Sequence, residues 1–379
     1  MAQHQPTIIT LDAPGAGTTT GYGTQAAAVG PAGLVAGYYV GLDNVVHAYV
    51  WVPEGRFTPY DAPGAARAIT PAWHSRHDGK FFPFDGPNMP SYVATDPYSP
   101  PTTWLNTSSP GTYALAFDAM GDVMGYYVDA NIVAHGFLRT PWGKFTSFDV
   151  PNAGTGAYQG TFASTMNLEG TIAGSYTDAN WGSHSFVRYR DGHTIEFDPP
   201  DGIGSSWVNF SQCISTTGIV VGNYADNNGV THGFVRDPKG DITEFAVAAT
   251  GLTAGQGTSP NAINSAGTVV GTFVDASNVN HSLIRTAAGK ITVFDPPGAA
   301  GNNVAEAIDE AGNATGFYND ANWVHHGYVR SPERKYTFFD VQPEVSGFKQ
   351  GTLPIFNTVS TVVGFYVDAN YVWHGFVRK

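Results

Sequence analysis

The sequence predicts an all-β fold: a seven-bladed β-propeller with four strands per blade, its ring closed by the N-terminal strand completing the C-terminal blade. Three observations predict it. Seven histidines (His47, His135, His184, His232, His281, His326 and His374) recur at spacings of 88, 49, 48, 49, 45 and 48 residues, and a strand-patterned repeat of roughly 40 to 50 residues is the period of a propeller blade. Short aliphatic and aromatic runs alternate with Asn, Asp, Gly and Pro, the mark of strands and tight turns, and no stretch keeps a helical period. The chain also stops three strands into its last unit, at "HGFVRK", and starts on a strand that no preceding unit owns.

Residues 160–200 set the pattern. "GTFASTM" is the innermost strand, "NLEG" a turn, "TIAGSY" the second strand and "TDANWGS" a turn region. "HSFVRY" is the third strand, "RDG" a short turn, and "HTIEFD" the outermost strand before a Pro/Gly loop. The Asn-x-x-Gly turn recurs as "NSAG", with Asp in "DAMG" and "DEAG", because Gly takes a positive φ there without steric cost. The opening "TIITLDAPGAG" matches the outermost strand and loop at residues 291–301, "ITVFDPPGAAG". Residues 7–12 are therefore expected to complete the last blade, with Asp12 opposite His374 and no bare edge left.

One unit is irregular. From the strand-ending Asp to the Thr of the next Gly-Thr takes 12 residues at Asp149 to Thr161 and Asp340 to Thr352, but 51 at Asp61 to Thr112, which is 39 more. The chain reads as a single domain, 1–379, with an insertion at residues 66–109. "KFFPFDGPN" in the insertion imitates an outermost strand, so an eighth, degenerate blade is the alternative.

Composition bounds the function. Charged residues are 13% of the chain against about 25% in an average domain, and 46 Gly with 13% aromatics suit many tight turns. The 18 Lys and Arg are scattered singly in a chain of net charge −13. No basic stripe exists to neutralise phosphates, which excludes a nucleic-acid partner and weakens binding to an anionic membrane. No run of about 18 apolar residues occurs, so no membrane insertion is expected. Cys213 is the one cysteine, which excludes a disulfide framework and a thiolate metal cluster and reads as a small buried hydrophobe. "MAQHQPTIIT" lacks the apolar core of a signal peptide and is compatible with a mature end behind an added Met.

The recurring "HGFVR" and "HAYVW", ahead of "FDxPGA" and a following Asn-x-x-Gly turn, resemble the HAF-type extracellular repeats of bacteria. The resemblance covers nearly the whole chain apart from the insertion. It implies a bacterial protein that is secreted, periplasmic or at the cell surface, and it brings no assigned reaction.

An Asp lies six residues before the His in six units (Asp129, Asp178, Asp226, Asp275, Asp320 and Asp368), and a second lies 14 residues after it at Asp61, Asp149, Asp198, Asp295 and Asp340. If the hairpins are symmetric, both carboxylates are expected directly across from the imidazole, on one face. A His between two carboxylates has the make-up of an oriented general base. Seven copies away from the ring axis, however, read as a brace in every blade. Gly41 replaces the first Asp of the His47 unit and Ala246 the second Asp of the His232 unit, which independent braces tolerate. The Asp-x-Asn of "DAN" resembles part of a calcium loop but lacks the later bidentate acid. No metal site or cofactor is expected, with a divalent cation as the open alternative. The Arg four residues after six of the histidines (Arg139, Arg188, Arg236, Arg285, Arg330, Arg378) reads as an inter-blade hydrogen-bond donor, with Trp51 in the first unit.

Strand alternation puts the "DAN" turns and the long "FDxPGA…GT" loops on one face. The reading placed first is a secreted propeller that binds a small, carbohydrate-like polar ligand at the long-loop face of the central channel. Its candidate binding residues are Gln159, Gln256 and Gln350, each just before Gly-Thr, with Tyr113, Trp207, Asn302 and Asn303 beside them and Trp73 in the insertion. Amides and aromatic faces together suit a neutral, hydroxyl-rich ligand. The runner-up is a lyase or hydrolase under the insertion, with His74, His77 or Asp78 as acid or base. A third reading is a protein-interaction scaffold. A small-molecule or glycan partner and a monomeric state are expected.

Overall fold

The computed structural model describes residues 6–67, 110–209 and 212–379. The fold is all-β: among the described residues there is no α-helix, and one short 3-10 turn at Pro31–Gly33. Among the described residues the strands pair into seven four-stranded antiparallel units, at residues 23–60, 111–148, 160–197, 206–245, 257–294 and 303–339, and at 351–378 together with Ile8–Leu11. The first strand of the chain does join the last unit: Ile8 pairs with Arg378 and Leu11 with Gly375. Most of the insertion lies outside the described residues.

Within a unit the tight turns set the register, and three devices recur. The first strand carries a β-bulge, between Ala163 and Thr165 in unit three and between Ala305 and Ala307 in unit six, which bends and twists the strand. The residue two positions after each repeat His is enclosed, Leu283 in unit five and an aromatic in the others: Phe137, Phe186, Phe234 and Phe376 are 0% exposed. Each such ring contributes about 1.5–3 kcal/mol of apolar burial. The Arg two positions further on lies over an aromatic ring of the preceding unit, as Arg188 does over Phe148 at 4.4 Å and Arg236 over Phe197 at 4.8 Å. The inter-blade contact of these arginines is thus a cation–π stack. Their guanidinium hydrogen bonds stay inside their own unit, as from Arg236 Nη1 to the Asp237 carbonyl at 3.2 Å.

Successive units touch through one parallel pair each, third strand to first. Val46 meets Gly111, Ala134 meets Gly160, Ser183 meets Ser205 and Thr231 meets Gly257. Asn280 meets Asn302, His325 meets Gly351, and Trp373 meets Gly23. The backbones nearly touch at these points. A Cβ on Gly160, whose φ is +113°, would lie 2.2 Å from the Ala134 carbonyl oxygen, so only glycine fits there.

Unit four departs from the pattern. Among the described residues its first strand is Ser206–Trp207, and the next pairing with the second strand is Ile214 with Val220. Between them, Gln212 reaches the first strands of three other units. Its carbonyl accepts from Ile263 N at 2.9 Å, its Oε1 accepts from Ile308 N at 3.1 Å, and its Nε2 donates to the Asn357 carbonyl at 2.8 Å. Beside it Cys213 is fully buried, donating its thiol to the Asn261 carbonyl at 3.0 Å, and burial raises its pKa. It is the small core residue its sequence context indicates.

Candidate functional site

The repeat histidines are organised by the strands that hold them. Each is half-buried on the third strand and stacks on the aromatic residue paired with it on the second strand. Tyr39–His47, Tyr127–His135, Tyr176–His184, Tyr224–His232 and Phe273–His281 have centroids 5.0–5.2 Å apart, and Tyr366–His374 lie at 4.8 Å. This corrects the expected geometry in one respect. The residue directly across from the imidazole is an aromatic, and the upstream Asp stands two positions further on, in the turn. The downstream Asp sits as expected, just past the end of the fourth strand.

In six units Nδ1 meets that downstream carboxylate at 2.7–3.0 Å: Asp61, Asp149, Asp198, Asp295, Asp340, and Asp12 for His374. Nε2 faces the turn Asp at 3.5–3.8 Å in five units. Unit one is not broken by Gly41, because Asp43 supplies the carboxylate at 3.3 Å from His47 Nε2. Unit four is broken. Ala246 offers no carboxylate to His232, whose one carboxylate partner is Asp226, at 3.2 Å from Nε2. That is the shortest of the seven turn contacts.

The turn aspartates have a second task. Asp129 Oδ1 accepts from Asn131 N and Val133 N at 2.9 Å, and Asp226 Oδ1 accepts from Asn228 N at 2.8 Å and Val230 N at 3.0 Å. Burial works to raise the pKa of Asp226, Asp275, Asp320 and Asp368, but the backbone donors together with the paired His outweigh it and hold all four below the usual value. The hydrogen bond to the downstream Asp is the largest cause raising the pKa of His47, His135, His184, His326 and His374, against the opposing effect of burial.

The long loops dock on these same turns. Tyr158 N donates to the Ile132 carbonyl at 2.7 Å, Lys349 N to Trp323 at 2.8 Å and Gly21 N to Tyr371 at 2.9 Å. The "DAN" turns and the long loops therefore do share a face. On that face, at the junction of units three and four, lies a cleft of about 490 Å³, lined by Asp201 and Ile203 from the loop and by Tyr224, Asp226, Asn228 and His232 from unit four. An apolar hollow of about 200 Å³ occupies the equivalent junction of units one and two, between Pro63, Tyr127 and Phe145. Among the described residues no group of three or more His, Cys, Asp or Glu is arranged to hold a metal ion.

The binding residues expected from sequence do not converge on an open site. Tyr113 is 2% exposed, stacks on Tyr126 of its own unit at 4.6 Å and lies 5.3 Å from Tyr38 of unit one. Gln159, Gln256 and Gln350 are buried and shape their own loops. Their Oε1 atoms accept from Gly156 N at 2.9 Å, Thr253 N at 3.1 Å and Gly347 N at 2.9 Å. Asn302 is 1% exposed and accepts from Asn280 Nδ2 at 2.7 Å. Asn303 is equally enclosed, held to Ser282 and Asp295. Trp207 is half-buried on the short first strand of unit four, outside the cleft lining. Trp73, His74, His77 and Asp78 lie outside the described residues.

Two features were missed. Glu306, at the bulge of unit six, is buried and its carboxyl is pushed up to about 8 by burial. It was legible as the one acid at a position that holds Ala27, Leu115, Ser164, Asn261 and Ile355 in other units. The signal for the cleft at His232 is Ala246, which replaces the second Asp of that unit alone.

Neither a protein-family model nor a curated protein sequence matches the chain. Solved structures do. Virginiamycin B lyase from Staphylococcus aureus is similar at a TM-score of 0.57 and 16% identity, over 99% of this chain and 100% of that one. A streptogramin B lyase reaches 0.52 at 13% identity, covering 99% and 98%. The BP39L lectin from Burkholderia pseudomallei reaches 0.55 at 7% identity, covering 93% and 94%. At these identities the likeness is one of fold, and the fold is propeller-like. No helix among the described residues is long and apolar enough to cross a membrane.

Proposed function

We propose that the chain is a closed seven-bladed propeller of the HAF-type extracellular class, exported by its bacterium, that binds a small hydroxyl-rich ligand on its long-loop face. The unit-to-unit pairings, including Trp373 with Gly23, support the closed ring, and the repeated "HGFVR" phrases support the class. One observation carries the function: the cleft of about 490 Å³ on that face falls within the range of small-ligand pockets, roughly 300–1,000 Å³. Its lining of carboxylates, an amide, an imidazole and an aliphatic wall suits an array of hydroxyl groups around an apolar ring. This moves the site from the channel mouth to the junction of units three and four. Calorimetric titration with methyl glycosides of neutral hexoses and deoxyhexoses tests it. Binding that falls about tenfold in Asp201→Ala, a loss the size of one hydrogen bond, supports the reading. A native protein that binds none of them at millimolar concentration sinks it.

A further inference from the structure

We propose that His232, oriented by Asp226 and released from a second carboxylate by Ala246, is the group in this cleft that accepts a hydrogen bond from a ligand hydroxyl. The inference rests on the preceding reading that the cleft takes a hydroxyl-rich ligand.

The repeat itself supplies the argument. A carboxylate can only accept a hydrogen bond, and a neutral imidazole has one N–H to give. In six units both ring nitrogens face carboxylates, with Nδ1 held at 2.7–3.0 Å. Such a ring satisfies both neighbours only as a cation and has no lone pair to offer. His232 is different. Its Nε2 lies 3.2 Å from Asp226, which fixes the N–H on that nitrogen in the neutral ring and leaves the Nδ1 lone pair as an acceptor. Asp226 is itself fixed by the N–H groups of Asn228 and Val230, and Tyr224 lies against the ring face at 5.2 Å. The imidazole is therefore held in position and tautomer by groups that are themselves held.

The other units also show where a partner oxygen belongs. It sits on the fourth-strand side of the ring, within 3.0 Å of Nδ1. In unit four the residue at that position is Ala246, which is exposed and carries no carboxylate. The ligand atom that fits is a neutral hydroxyl that donates to Nδ1. An anionic group is disfavoured by Asp201 and Asp226 in the same lining, since like charges in a partly desolvated cleft repel. A second hydroxyl on the adjacent carbon would meet the Asp226 or Asp201 carboxylate. A neutral vicinal diol is thus the chemical class we assign.

Two variants and one spectrum test this. Ala246→Asp rebuilds the brace in the geometry of the other six units, and His232→Gln removes the imidazole. Both should bind the methyl glycosides about tenfold more weakly, with the melting temperature of Ala246→Asp equal to or above that of the native protein. Nitrogen-15 NMR of the native protein at alkaline pH should show His232 protonated on Nε2 and bare on Nδ1. Native binding that survives unchanged in both variants overturns the inference and leaves the broader reading standing, as does a His232 protonated on Nδ1. No binding by the native protein overturns both.

Discussion

At five of the histidines with carboxylates at both ring nitrogens, protonation strengthens both contacts, so stability is linked to pH. For His47, His135, His184, His326 and His374 the folded pKa is raised, chiefly by the hydrogen bond to the downstream Asp. Their contribution is fully present below the unfolded value of about 6.5 and is lost as pH rises through the folded values. The turn aspartates Asp226, Asp275, Asp320 and Asp368 are lowered. Their contribution is present above about pH 4 and is lost as pH falls through their folded values. The melting temperature should therefore be highest between about pH 4 and 6.5 and fall on the alkaline side. A melting temperature that stays flat from about pH 5 to 9 would refute this account. His184→Ala should cost about 1–2 kcal/mol in urea unfolding and leave glycoside affinity unchanged, because unit three's brace contributes nothing to the cleft lining. An affinity loss at normal stability would reverse that assignment. The His–Asp spacing was legible because it repeats. The aromatic across from each His was not, since alternating strands place many aromatics and only the register shows which one the imidazole meets.

At the scale of the strand and its neighbours, adjacent units are joined by a glycine contact and an Arg–aromatic stack. Gly160→Ala forces a Cβ against the Ala134 carbonyl and should cost about 2–4 kcal/mol through overpacking and strain. Arg236 is 3% exposed over Phe197, and Arg236→Ala should cost about 1–2 kcal/mol, with Arg236→Lys recovering only part of it. Denaturant midpoints measure both, and an unaltered midpoint in either variant would show that the contact carries no stability. The strand order, the turns and the chain-end strand in the last unit could be read from sequence, because turn residues and apolar runs are local signals. The loop glutamines could not. Their amides looked available for a ligand, yet Gln159 and Gln350 bend back to the backbone three residues upstream, a local loop geometry that composition does not encode. The burial of Tyr113 was not legible for a related reason: a strand residue next to a loop can still be enclosed by the neighbouring unit.

For the whole molecule, the pairing of Ile8–Leu11 with the final strand makes the two chain ends one element. Removing residues 1–12 should expose a strand edge, lower the melting temperature and promote self-association, which light scattering would detect. A truncated protein that stays monomeric with native stability would mean that this pairing is dispensable. Repeat spacing made the period of the units legible, but it said nothing of the shortened first strand of unit four.

That departure ties unit four to three other units at once. Most repeat arrays gain or lose copies with little penalty, because each copy touches only its neighbours. Here the amide and carbonyl of Gln212 engage units five, six and seven at once. These bonds are made at 2.8–3.1 Å, so a wider or narrower assembly would pull at least one partner out of reach. In the closed ring proposed above, a single residue acts as a gauge of circumference, and duplication or loss of one copy would be penalised at a residue far from the copy that changed.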